Sequence, residues 1–335
     1  MSSNSNLNAA KRSKNDEFYT TLADVEKELS NYEPLLFDKT ILCNCNDGED
    51  SAFWLYFSAN FMRLGLKRLI AVKYGADSCG YVLEMECVNG VLISKKFMLQ
   101  GNGDFRSQES IELLKQADIV ITNPPFTLFR EYISLLTAYS KKYLIIGNMN
   151  DIKFAEVFPL IQNNRLWFGH NAVKTFIQPD RSIFKFGNIL WFTNLKRINN
   201  NPDIPLTKRY TPENYPRYDN YDAINVDKVL NIPVDYYGVM GVPITFLLKY
   251  NPDQFDIIGL TGECKKGDYL IKPKKRYSNI RIHKENGTVA KSNKLNLATV
   301  IRLDDVPEGG AYYTVANEKG FFICVYTRVL IKRKG

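Results

Sequence analysis

Asp118-Ile119-Val120-Ile121-Thr122-Asn123-Pro124-Pro125-Phe126 is an almost uniformly apolar run that stops on a polar residue, two prolines and an aromatic. A short continuous apolar run bounded by turn residues is the pattern of a strand buried on both faces. Prolines cannot continue a strand, and they fix the backbone that follows it. The Asn123 side chain and the Pro124 carbonyl are therefore expected to stand rigidly at the carboxyl edge of a sheet, with Phe126 beside them. Downstream, Leu128, Phe129, Tyr132, Ile133 and Leu136 recur at helical spacing. The unit reads as strand, loop, helix.

The same alternation extends in both directions. Upstream, Thr21-x-x-Asp24 resembles a capping box, and Leu22, Val25, Leu29 and Tyr32 predict a helix over 21–32. Thr40 to Cys43 reads as a buried strand, and the polar stretch Asn44 to Asp50 breaks it before Ser51 caps an apolar helix near 52–64. Arg68 to Val72 is the next strand. Tyr81 to Phe97 reads as a hairpin around Asn89-Gly90, since that dipeptide suits a two-residue turn. Downstream, a strand is expected at Tyr143 to Ile146, a helix near 152–163 and strands near 165–169 and 188–193. Alternating strands and helices imply an α/β domain with a parallel sheet covered on both faces, whose ligands lie beyond the carboxyl ends of the strands.

After Leu195 the chain becomes rich in Pro, Asn, Asp and Tyr and loses periodicity up to Gly238, which reads as an extended connection. The tail from about 239 mixes short apolar runs with basic clusters. Strands are expected at Ala298 to Leu303, Tyr312 to Val315 and Phe321 to Lys332. The domains so read are a polar, basic arm (1–14), an α/β domain (15–195), the connection (196–238) and a smaller β-rich basic module (239–335).

Composition narrows the function. Of 335 residues, 45% are hydrophobic and 24% charged, which excludes collagen, coiled coil and wholesale disorder. No apolar run reaches the roughly 18 to 20 residues of a membrane span, and Met1 to Lys14 lacks a signal-peptide core, so a cytoplasmic protein without a membrane partner is expected. Six cysteines without a Cys-x-x-Cys pair and two histidines suggest neither a zinc framework nor disulfides. No metal is expected. Residues 261–335 hold 16 Lys+Arg against 7 Asp+Glu within a chain of net charge +8, so the first 260 residues are close to neutral. Segregated positive charge is a footprint of polyanion binding. The run Lys272-Pro273-Lys274-Lys275-Arg276-Tyr277 and the nearby Arg281 interleave cations with an aromatic and suit phosphate contacts.

The Asn123 to Phe126 element suits one reaction. The exocyclic amine of adenine is a poor nucleophile because its lone pair is delocalised into the ring. Two fixed acceptors, the Asn123 oxygen and the Pro124 carbonyl, can each take one N–H, localise that pair and aim it at a methyl sulfonium without a metal. Phe126 offers a stacking face for a base turned out of the helix.

At this point the chain resembles a known family, the EcoRI-type adenine-N6 DNA methyltransferases that use S-adenosylmethionine. The likeness rests on Lys14-Asn15-Asp16-Glu17-Phe18-Tyr19-Thr20, Leu42-Cys43-Asn44-Cys45-Asn46, Gly103-Asp104-Phe105-Arg106-Ser107, the Asn-Pro-Pro-Phe element, Tyr221-Asp222-Ala223-Ile224-Asn225 and Met240-Gly241-Val242-Pro243-Ile244-Thr245-Phe246. It spans residues 11–255. The Asn-Pro-Pro-aromatic element is common to amino methyltransferases, whereas the other stretches resemble the EcoRI type in particular.

The resemblance implies a Rossmann-like S-adenosylmethionine-dependent methyltransferase sheet. It places Asn123, Pro124, Pro125 and Phe126 in catalysis, and Phe18, Tyr19 and Thr20 on the methionine end of the cofactor. Cys43, Asn44, Cys45, Asn46 and Asp47 would form the cofactor loop, with Asn and Asp where other amino methyltransferases carry glycines, and Asp104 and Phe105 would take the cofactor's adenine. For the acid that holds the ribose, Glu49, Asp50 and Asp77 stay open. The implied partners are duplex DNA, contacted by Lys272, Lys274, Lys275, Arg276 and Arg281, and a cognate restriction endonuclease of the same site with no physical complex. GAATTC is the first site to test. Methylation of RNA adenine or of a protein glutamine, and a catalytically silent DNA-binding relative, are the alternatives.

Overall fold

A computed structural model describes residues 19–177, 182–195, 201–262, 269–316 and 318–335. The chain divides into two compact units, one of residues up to 157 with 165–196, the other of 158–164 with 197–335. Of the expected connection 196–238, all but its first residue thus groups with the second unit.

The first unit is built on a nine-stranded sheet. Its strands are β1 (Tyr19–Thr20), β2 (Thr40–Cys43), β3 (Arg68–Lys73), β4 (Tyr81–Val88), β5 (Val91–Met98), β6 (Ile119–Thr122), β7 (Lys142–Asn148), β8 (Trp167–Ile177) and β9 (Ile183–Thr193), in the spatial order β1-β8-β9-β7-β6-β2-β3-β4-β5. The four central strands β7, β6, β2 and β3 are parallel, and every further pairing is antiparallel. The sheet is therefore mixed and not the parallel sheet expected. β8 and β9 are eleven-residue strands that pair with each other, far longer than the expected 165–169 and 188–193. In the added length of β9 exposure alternates, with Phe186 inward, whereas in β8 the inward residues Val173 and Phe176 lie three apart across the register shift between Val173 and Thr175. An alternation this short in β9 and interrupted in β8 does not stand out as a strand pattern in the sequence.

Helices α1 (Leu22–Leu29), α2 (Ala52–Ala59), α3 (Phe61–Leu64), α4 (Gln108–Gln116) and α5 (Phe129–Ala138) complete the unit. The cap at Thr21 forms, its Oγ1 accepting from Asp24 N, and Ser51 Oγ accepts from Phe53 N and Trp54 N at the start of α2. α1 ends earlier than 32 because Ser30 and Asn31 turn their side chains onto the Lys27 and Glu28 carbonyls. The expected helix near 152–163 is instead a 3-10 turn at Met149–Lys153 and a short helix α6 (Phe158–Gln162) in the second unit. Extended backbone at Phe154 separates them.

Glu28 carries no exposed surface, yet it is fully satisfied. Its carboxylate accepts from Tyr32 OH (3.1 Å), the His170 and Asn171 amides (both 2.8 Å) and Asn171 Nδ2 (3.0 Å). These bonds pin α1 to β8 where the β8–β9 register shifts between Phe168 and Ala172. A buried carboxylate is tolerated only with such compensation. The pinning fixes Tyr19 and Thr20, which precede α1 and pair with Ile177 and Phe176.

In the second unit β10 (Ile224–Asn225), β11 (Met240–Pro243), β12 (Phe255–Leu260) and β18 (Arg328–Arg333) form one sheet, in the order β10-β11-β18-β12. A second sheet, β14-β13-β16-β17-β15, contains β13 (Arg281–His283), β14 (Val289–Lys291), β15 (Thr299–Leu303), β16 (Tyr312–Val315) and β17 (Glu318–Val325). The expected strand 321–332 is two strands, β17 and β18, which belong to different sheets. Among the described residues no helix is long and apolar enough to cross a membrane.

Candidate active site

The carboxyl ends of β2, β3 and β6 open onto a cavity of about 720 Å³. That lies within the roughly 300 to 1,000 Å³ of small-molecule sites. Its wall holds Tyr19, Thr20, Asn44, Cys45, Asn46, Asp47, Asp104, Phe105 and Asn123 to Phe126. Residues nominated from four separate stretches thus meet around one space. Cys43 is wholly buried in β2 and outside the wall. Phe18 and the amino-terminal arm lie outside the described residues.

The loop Asn44 to Asp47 turns sharply, with Asn46 in the left-handed region at φ 65°, where Asn is among the residues best tolerated. Asp47 N donates to Val72 O at 2.8 Å, which fastens the loop over the end of β3. Gly103 (φ 79°) passes so close to β3 that a Cβ there would meet Lys73 O at 3.0 Å. This close passage carries Asp104 and Phe105 to the cavity.

The electrostatics of the site are uneven. Asp47 is 4% exposed, and burial pushes its carboxyl up to about 6 against the hydrogen bonds that favour the ionised form. Burial likewise pushes the Cys45 thiol up, so it stays neutral. Asp104 is held below the usual carboxylate range by Arg106, whose N, Nε and Nη2 all donate to it at 2.7 to 2.9 Å. Arg106 Nη1 also reaches Glu131 on α5 at 2.9 Å. Phe105 is buried edge-on against Tyr132, ring centroids 4.9 Å apart, and Phe126 lies edge-on against Phe176 at 6.1 Å.

The donor set fits an adenosine-like sulfonium ligand. Thr20 Oγ1, Asn44 Nδ2 and Asn46 Oδ1 are buried atoms of wall residues with no hydrogen-bond partner among the described residues. Such atoms call for a polar ligand. The carboxylates of Asp47, Asp50 and Asp104 outnumber the Arg106 guanidinium in the same wall, a balance that favours a cationic ligand. Of the acids left open for the ribose, Asp50 alone lines the cavity, while Glu49 accepts from Lys96 Nζ (2.7 Å) and from Tyr81 OH. Among the described residues no cluster of His, Cys, Asp and Glu could hold a metal ion.

Sequence reasoning missed several wall residues, including Tyr74, Arg106, Leu55 and Ile177. It also missed the hydroxyl partners behind the wall, Thr122 and Tyr132. An apolar residue such as Leu55 carries no signal that separates a cavity wall from a core position.

Of the basic residues, Lys272, Lys274, Arg276 and Arg281 are exposed. Lys275 turns inward and its ammonium meets Asp219 at 2.9 Å and Glu318 at 2.5 Å. Of the histidines, His283 stacks on Tyr312 with centroids 4.6 Å apart, and His170 packs edge-on to Tyr32.

A cavity at the carboxyl edge of a mixed α/β sheet, with polar side chains and Asn-Pro-Pro-Phe set in a largely apolar wall, is the arrangement of a methyltransferase acting on an amine. The chain belongs to the family described as adenine-specific methyltransferase EcoRI, whose model matches residues 6–334. It is 44% identical to the type II methyltransferase M.EcoRI of Escherichia coli, over 82% of this chain and 95% of that protein. M.MgeORF184P of Mycoplasma genitalium is 41% identical over 75% of this chain and 85% of its own length, and M.MpnI of Mycoplasma pneumoniae 40% over 75% and 84%. Both are likewise named type II methyltransferases. A solved structure, YeaZ from Pseudomonas aeruginosa, overlaps 42% of this chain and 74% of its own at 12% identity and a TM-score of 0.16, too slight a likeness to bear on the fold.

Proposed function

We propose that this enzyme methylates N6 of an adenine turned out of duplex DNA, in one sequence context, as the modification half of a restriction–modification pair. The observation that carries the reading is the placement of Asn123 and Pro124 in the wall of a cavity whose other side fits S-adenosylmethionine. When bound, S-adenosylmethionine supplies an electrophilic methyl group. The first unit is then a Rossmann-like cofactor-binding sheet: Asp104 and Phe105 hold the adenine end, Asp50 the ribose, the loop Asn44 to Asp47 the centre, and Tyr19 and Thr20 the methionine end.

The acceptor side is the work of this chain's own groups. Asn123 Oδ1 and the Pro124 carbonyl each accept one N–H of the target amine and draw its lone pair out of the ring. Pro125 sets the turn with φ −54°, so the two acceptors are fixed before the base arrives. Phe126 covers one face of the base.

The second unit supplies the DNA surface. Lys272, Lys274 and Arg276 precede a sheet on which Arg281 stands opposite Lys291 on one side and Thr314 on the other. Lys275, held between two carboxylates, braces that surface from within and makes no phosphate contact.

Transfer from methyl-tritiated S-adenosylmethionine tests the reading directly. Duplex DNA, RNA and bulk protein are offered side by side. Label is expected in duplex DNA; label in RNA or protein with none in DNA would move the function to that acceptor.

A further inference from the structure

Two buried hydrogen bonds fasten the cavity loop on either side of the Asn-Pro-Pro-Phe element. Thr122, the residue directly before Asn123, has no exposed surface and donates from Oγ1 to Asp47 Oδ2 at 2.6 Å. Tyr132, equally buried on α5 after the element, donates its hydroxyl to Asn44 Oδ1. Asp47 accepts further from Ser51 Oγ at 2.8 Å and from Cys45 N at 3.2 Å. An isolated buried carboxylate is costly, and β6 is otherwise apolar up to Thr122, so packing alone does not call for this pair.

We propose that the Asp47–Thr122 hydrogen bond is a positioning latch, which holds Asn123 in register with the cofactor loop so that methyl donor and target amine meet in line. The proposal rests on the functional reading above. Thr122 is a positioning residue: it acts through Asn123 and Asp47 and touches no reacting atom.

The latch has a pH dependence built into it. A short bond to an ionised carboxylate is about twice as strong as one between neutral groups. Burial pushes the Asp47 carboxyl up to about 6, and the Thr122 hydroxyl leads the groups that oppose that shift, followed by Ser51, Cys45 N and the Lys73 cation on β3. The thiols of Cys43 and Cys45 and the phenol of Tyr132, which also face Asp47, are all pushed up and neutral through this range, and the same cavity holds the Asp50 carboxylate and the Asp104–Arg106 pair. The ionised form holds the latch, so turnover is lost as pH falls through about 6. Without the Thr122 hydroxyl the acid limb moves to higher pH.

The test compares wild type, Thr122→Val and Thr122→Ser in single-turnover methyl transfer from pH 5 to 8, with S-adenosylmethionine Kd and Tm measured alongside. Thr122→Val is expected to slow transfer about 10- to 100-fold, because a displacement of about 1 Å costs on the order of 10²-fold. Cofactor Kd should stay within about threefold, the acid limb should rise, and Thr122→Ser should restore both. An unchanged rate in Thr122→Val, or a fall matched by lost cofactor affinity with the limb unmoved, overturns the latch. If Thr122→Val fails to fold, Asp47→Asn reads the same device: it should slow transfer and flatten the limb, and an unmoved limb overturns the proposal. An active wild type with an indifferent variant defeats the latch alone, whereas a wild type that methylates no adenine defeats the functional reading and the latch with it.

Discussion

Asn123→Ala is expected to slow methyl transfer by about 10²- to 10³-fold, the cost of removing one preorganised acceptor or donor from a reacting centre. Both S-adenosylmethionine Kd and duplex DNA Kd should stay within about threefold of wild type. The separation follows from where the residue sits. Asn123 follows the last residue of β6 at the sheet edge, and its neighbours Thr122 and Pro124 are held by burial and by ring geometry, so truncation leaves the wall standing. The side of the cavity proposed for the cofactor is built from other elements, β1 and the loops after β2 and before α4. What is lost is an interaction with the amine that counts when its lone pair is drawn out, which lowers kcat and kcat/KM together. Single-turnover rates and equilibrium titrations check both halves. Unchanged turnover would remove Asn123 from the mechanism.

The second large effect is on DNA affinity. Replacing Lys272, Lys274 and Arg276 together by alanine is expected to weaken duplex binding about 10²- to 10³-fold at about 50 mM salt, if each cation neutralises one phosphate. The slope of log K against log salt should flatten by about 2.7, since each phosphate contact contributes about 0.9. Lys275→Ala is the internal control. Its ammonium is already paired with Asp219 and Glu318 and lies over the Tyr277 ring at 5.2 Å. Its removal leaves two carboxylates facing each other without their cation, so it should lower Tm and leave the salt slope alone. Titrations at four or five salt concentrations decide the matter. A triple variant with the wild-type slope would place the DNA surface elsewhere.

The contrast between Lys275 and its neighbours shows what a sequence conceals. In Lys274-Lys275-Arg276-Tyr277 the exposure alternates: Lys274 and Arg276 face outward, Lys275 is half-buried and Tyr277 is buried. Four adjacent residues of which three are cations carry no mark of which one turns inward, because its partners Asp219 and Glu318 are distant in sequence. Thr122 and Tyr132 were hidden for the same reason. Each reads as one more member of an apolar strand or stripe, and its hydroxyl acquires meaning only when the loop after β2 is folded against it.

The legible features were those whose cause is local. β6 announced itself by an apolar run closed by two prolines, the helix starts at Thr21 and Ser51 by their capping side chains, and the β4–β5 hairpin by Asn89-Gly90, both at positive φ. The mixed topology was not local. β9 inserts antiparallel between β7 and β8, and nothing in its own residues records that choice. The cavity was legible as a set of stretches, through the family resemblance. The pairing of Asp104 with Arg106 within that set emerges only from the fold.

Position-resolved nucleoside analysis of methylated duplex DNA decides whether Asn123 carries adenine methylation. Unmethylated genomic DNA is treated with the wild-type enzyme and, in parallel, with Asn123→Ala. N6-methyladenine is expected in a single sequence context from the wild type, and at equal enzyme and time in the initial-rate range about 10²- to 10³-fold less from the variant. N4-methylcytosine in place of N6-methyladenine, or equal N6-methyladenine from both proteins, would contradict this.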